Sequence, residues 1–162
     1  MLRDLGNAYL QIGPQFPNLS TLVLHLYFPQ AQVGRSFTEG ITVEQVAGAE
    51  AVLADCRRRL AVARPDRTDG ALVVDELGAA IDLVGVLCRD LRARLEGDGW
   101  LGSVPETVRA RLAADLAPLV DRHRTLWLAR NRPGGLPESA AWLEHLERCY
   151  RTGVTDPSWG GW

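Results

Sequence analysis

Residues 77–95 read Leu-Gly-Ala-Ala-Ile-Asp-Leu-Val-Gly-Val-Leu-Cys-Arg-Asp-Leu-Arg-Ala-Arg-Leu, and their order decides the fold. Leu77, Ala80, Ile81, Val84, Leu87, Cys88, Leu91 and Leu95 recur at steps of three and four, which lays one apolar stripe along a helix. Asp75, Asp82 and Arg89 fall opposite, so the pattern predicts one buried and one wetted face. Thr68 or Asp69 can cap the start of this helix, and Gly97 and Gly99 stop it.

The same period continues on both sides. Upstream, Thr42 followed by Gln45 has capping-box spacing, and Val46, Ala49, Leu53, Cys56 and Leu60 repeat until Pro65 ends the pattern. Downstream, Ser103 and Glu106 with Pro105 in the first turn predict a third long helix. Its inward positions are Val108, Leu112, Leu116, Leu119, His123, Leu126 and Trp127, with a kink at Pro118. A shorter helix from Pro137 to Tyr150 turns Leu143, Leu146 and Tyr150 inward and stops at Gly153. Connections of about 5 to 12 residues make consecutive helices neighbours, so the expected fold is all-α, an antiparallel bundle of about four main helices. Pro14, Pro17 and Pro29, with Gly13, Gly34 and Gly40, break residues 1–40 into an irregular, partly helical segment that packs on the bundle. Its helical pieces are expected near Leu5–Ile12 and Ser20–Tyr27. The bundle spans residues 41–152, and 153–162 form a tail carrying Trp159 and Trp162.

Composition narrows the function. A chain of 162 residues with 46% apolar and 23% charged residues can build a core without metal or disulfide. All eighteen basic residues are arginine, which reads as GC-rich coding. A net charge of -2 and a longest basic run of three, Arg57–Arg59, give no field for nucleic acid. Cys56, Cys88 and Cys149 each sit on or beside an apolar stripe and read as buried free thiols in a reducing compartment. The N-terminus lacks the pattern of a signal peptide, and the most apolar window, Leu19–Phe28, is about half of what a bilayer span needs. These features predict a cytoplasmic protein with no membrane contact.

The run Leu126-Trp-Leu-Ala-Arg-Asn-Arg-Pro-Gly-Gly-Leu-Pro-Glu-Ser139 is more specific than helical patterning requires. Arg132 precedes a proline and is pushed from the helical region, Gly134 and Gly135 can supply positive φ, and Pro137 is preset for a new first turn. The run resembles a segment of the C-terminal helical region of bacterial family 20 glycoside hydrolases, the β-N-acetylhexosaminidase-like enzymes. Leu5-Gly6-Asn7-Ala8-Tyr9, Gly13 and Pro17-Asn18-Leu19-Ser20 resemble the same post-barrel region more weakly. The resemblance implies a non-catalytic module that supports or docks onto a glycosidase barrel, or onto a second copy of itself. The rival expectation is an independent helical protein-protein interaction domain, such as a homodimer. Trp127, Arg130, Asn131 and Arg132 are the candidate docking residues; Arg130 and Arg132 also suit the carbonyl end of their own helix.

Family 20 enzymes pair an Asp that orients the substrate with a Glu that serves as general acid, and Asp75-Glu76 superficially matches. Here the pair lies in the periodic helix, where adjacent side chains diverge by about 100 degrees, so the expected setting is a solvated face. His25, His123 and His145 occupy three elements and have no metal-ligand spacing. His123 is expected in the core and His145 at the surface. The chain has no lysine for a P-loop and no nucleophile elbow. No catalytic, cofactor-binding or metal-ligating residue is assigned, and Trp127 and Trp142 are expected to pack between helices.

Overall fold

The computed structural model describes residues 1–13, 20–35 and 38–155, and all regular structure among them is helical. Six helices follow in order: α1 Leu2–Gly6, α2 Thr21–Tyr27, α3 Val43–Ala61, α4 Gly70–Leu95, α5 Glu106–Arg130 and α6 Leu136–Thr152. Short 3-10 turns at Ala8–Gln11 and Leu101–Ser103 lead into the irregular connections. The expected Leu5–Ile12 piece is thus two: the chain leaves the helix at Asn7, whose amide bonds back to Arg3 and Asp4, and re-enters as a 3-10 turn. Pro14, Pro17–Leu19 and residues 156–162, including Trp159 and Trp162, lie outside the described residues.

Helix ends follow local chemistry, with two exceptions. The Thr42 hydroxyl accepts from Gln45 N at 3.2 Å, and Gln45 Oε1 accepts from Thr42 N at 3.0 Å, closing the capping box at α3. α6 is bracketed by Gly135 at φ 83 and Gly153 at φ 70, with Pro137 in its first turn. The box expected from Ser103 and Glu106 does not form. Pro105 is the residue before α5, and the Ser103 hydroxyl donates to Asp98 instead, at 2.8 Å. Asp69 precedes α4 as expected, yet its carboxylate caps nothing, because Arg67 and Arg130 take it.

Side-chain pairs give the topology. Arg92 meets Glu50 and Arg57 meets Asp82, so α3 and α4 run in opposite directions. Arg89 meets Asp115 at 3.0 Å, and Arg130 meets Glu76 at 2.6 Å, which reverses α5 on α4. Arg109 reaches the Tyr150 carbonyl at 3.1 Å while His123 meets Ser139 at 2.9 Å, which reverses α6 on α5. The antiparallel bundle is therefore present, and α5 continues through Pro118.

α4 is the central element, because it serves two cores. Cys88 and Leu91 join Ile12, Val46, Leu53 and Cys56 on one side; Val86 and Leu87 join Leu112, Leu116, Leu146 and Tyr150 on the other. Each such side chain contributes about 1.5 to 3 kcal/mol on burial. Two contacting sides explain the departures from a single stripe: Val86, Asp90 and Arg94 are buried as well, while Ala80 is exposed. On α5, Val108 is exposed, and Ala113 and Val120 are buried in its stead.

Candidate functional site

The α5–α6 junction is built by its own residues. Asn131, at φ -121 and ψ 163, ends α5 and donates its amide to the Trp127 carbonyl at 2.7 Å. The half-buried Trp127 donates from Nε1 to the Arg132 carbonyl at 3.0 Å, closing the turn, and its ring stands edge-on to His123 at 5.9 Å. A Cβ on Gly135 would lie 3.4 Å from the indole, so tryptophan and glycine fit together. Arg130 does not cap α5. It forks onto both Glu76 oxygens, at 2.6 and 2.8 Å, and onto Asp69 at 2.8 Å. Arg67 and then Arg130 pull the Asp69 carboxyl down to about 2, and Arg130 lowers that of Glu76. Three of the four candidate docking residues thus brace the junction, and Arg132 contributes its carbonyl while its side chain is exposed.

The Asp75-Glu76 pair is divided. Arg122 takes Asp75, and Arg130 takes Glu76, two turns further along α5. Both carboxylates pair with arginines of α5 on a face that stays open to solvent, Asp75 at 52% and Glu76 at 31% exposure, and they do not converge on a common point.

Beside the junction, an apolar slot of about 280 Å³ separates α4, α5 and α6. Ala79, Ala80, Leu83, Leu119 and Leu126 line it, with Glu76 and His123 also on its surface. It persists because the packing is uneven: the buried residues of α5, Leu112, Ala113, Leu116 and Val120, all lie in its first fifteen positions. His123 is half-buried and bonded to Ser139, and burial, then the charge of Arg124, lowers its pKa.

A second polar cluster lies deep between α2, α4 and α6. Arg94 and Asp90 are fully buried and meet in a bidentate pair at 2.8 and 3.0 Å, and Arg94 Nη1 also donates to the carbonyls of Pro29 and Ala31. His25 is fully buried nearby, its pKa pushed down to about 3 by desolvation first and by Arg94 second. His145 is buried too, a correction to the surface position expected, because α6 turns a second face toward α2; its Nε2 lies 3.4 Å from Cys149 Sγ. Tyr150 is buried beside Asp90 and its phenol is pushed well above the ordinary range, chiefly by burial. The i, i+4 spacing of Asp90 and Arg94 is visible in the sequence, but it is the ordinary signature of an exposed ion pair.

Cys56, Cys88 and Cys149 are buried thiols outside any disulfide, as expected, and burial raises the Cys88 thiol to about 11. Among the described residues no group of three or more His, Cys, Asp or Glu is placed to hold a metal ion, and no helix is long and apolar enough to cross a membrane. The chain matches no protein-family model, no curated protein and no solved structure.

Proposed function

We propose that this chain is a non-catalytic helical module of the kind that follows the barrel in β-N-acetylhexosaminidase-like glycoside hydrolases, where it docks by the α4–α5–α6 end of its bundle. One observation carries the reading. The junction that bears the resemblance is braced from within by Arg130, Trp127 and Gly135, while beside it an apolar slot stays unfilled and Leu128 stands 52% exposed. A bundle that worked alone would gain by closing that end, since a gap forfeits contact energy along its whole lining. Three buried cysteines outside any disulfide fit a reducing compartment, and we place the module in the cytoplasm on that ground.

The test is twofold. The purified chain should not turn over an aryl N-acetyl-β-glucosaminide, and it should raise the melting temperature of a family 20 barrel stripped of its own helical region. Leu126→Arg should abolish that gain. Turnover by the chain alone, or no effect on the barrel, would overturn the reading. Self-association seen by light scattering and lost in Leu126→Arg would assign the same face to a second copy, the homodimer alternative.

A further inference from the structure

Away from the junction, two arginines from different helices converge over one glycine. A Cβ built on Gly78 of α4 would lie 2.9 Å from Arg122 Nη2 and 3.1 Å from Arg57 Nη1, so the two guanidinium groups stand within about 6 Å of each other. Arg57 donates to the Gly78 carbonyl at 3.1 Å, and Arg122 to the Asp75 carbonyl at 2.7 Å, which fixes both heads against α4. Asp82 touches both arginines and relieves their repulsion. Both also line a cleft of about 280 Å³ between the end of α3 and the start of α4, whose other polar groups are Arg64 and Asp75 and whose floor is Leu60, Ala61, Ala71 and Val74.

Arg64 sets this cleft apart from an ordinary ion-pair lattice. Its Nη1 donates to the carbonyls of Ala61 and Ala63, at 3.2 and 2.7 Å, and it has no carboxylate partner among the described residues. Three arginines thus face one cleft against Asp75 within it and Asp82 behind it, an excess of positive charge on a chain whose net charge is -2. Arg57 and Arg122 lie close enough for one tetrahedral oxyanion to accept from both, and guanidinium forks are the groups that recognise such anions through paired donors. Arg57 Nε and Nη1 and Arg64 Nε and Nη2 are not used in the bonds described above, so donors remain.

We propose that this cleft binds a small dianionic oxyanion of the phosphate monoester class through Arg57, Arg64 and Arg122, with the half-exposed Asp75 as the internal group it displaces from Arg122. Inorganic phosphate is the probe, followed by calorimetry and by melting temperature against sodium chloride at equal ionic strength, since screening alone acts on every surface pair. Phosphate should raise the melting temperature above the chloride value. Arg64→Gln, which removes no carboxylate contact, should weaken binding about tenfold, and Asp75→Asn should tighten it by a similar factor, as expected for one charge-assisted bond. Phosphate indistinguishable from chloride would overturn the proposal. So would binding that neither substitution alters, which would mark an adventitious ion only.

Discussion

Arg94 is the residue on which the α2 side of the molecule turns, because one buried guanidinium serves three acceptors: the Asp90 carboxylate and the carbonyls of Pro29 and Ala31. Removing one member of such a pair strands the other, at about 3 to 5 kcal/mol. Arg94→Met should therefore lower the urea midpoint sharply, and Asp90→Leu/Arg94→Met should recover part of the loss. The remainder is the cost of two carbonyls left without their donor, about 1 to 3 kcal/mol each. A double variant no more stable than the single one would place the loss in those carbonyls alone. His25 gives a second outcome at this scale. Its folded pKa is depressed to about 3 from 6.5, so between those values the unfolded chain binds the extra proton. Its neutral form therefore supports the fold above pH 6.5, and that support is lost as pH falls toward 3, on the order of 5 kcal/mol in all. Urea midpoints should fall between pH 7 and pH 4, and His25→Phe should flatten that slope.

At the scale of elements, the two ends of α6 test different physics. Gly135 sits at φ 83 under the Trp127 ring, and Gly135→Ala should cost about 1 to 2 kcal/mol, with Gly135→Asn recovering much of it because asparagine tolerates that backbone. Leu146 is wholly buried among α4, α5 and α6, so Leu146→Ala should cost about 2 to 5 kcal/mol in the same denaturation experiment. The helices themselves were legible from the order of residues. Thr42 with Gln45, and Gly135 with Pro137, carry their own backbone instructions, and the three-and-four spacing needs only one contacting face to be read. What stayed hidden belongs to elements that meet two neighbours. Asp90, Arg94 and His145 lie off the apolar stripe and were buried by α2, a short helix whose docking has no local signal. Arg130 likewise looked like a cation for its own helix end, because nothing nearby in sequence names Glu76 as its partner.

For the whole molecule, the order of charges along α4 has a consequence for assembly. Its first part presents Asp75, Glu76 and Asp82 to arginines of α3 and α5; its later part presents Arg89 and Arg92 to Asp115 and Glu50. Most of these pairs are partly exposed, and such pairs add little to equilibrium stability. Sliding α4 by two turns, however, would bring Arg89 to the place of Asp82, against Arg57 and Arg122, although Cys88, Leu91 and Leu95 would still supply apolar side chains where Ile81, Val84 and Cys88 stand. The pairs thus act as a vernier: part of the stripe repeats after two turns, and the charges reject that alignment together with Arg94, which would fall in the core at the place of Leu87. Sodium chloride at about 1 M, which shortens the reach of these charges to about 3 Å, should leave the urea midpoint nearly unchanged while adding a slow phase to refolding, as chains halted one notch away find the true setting.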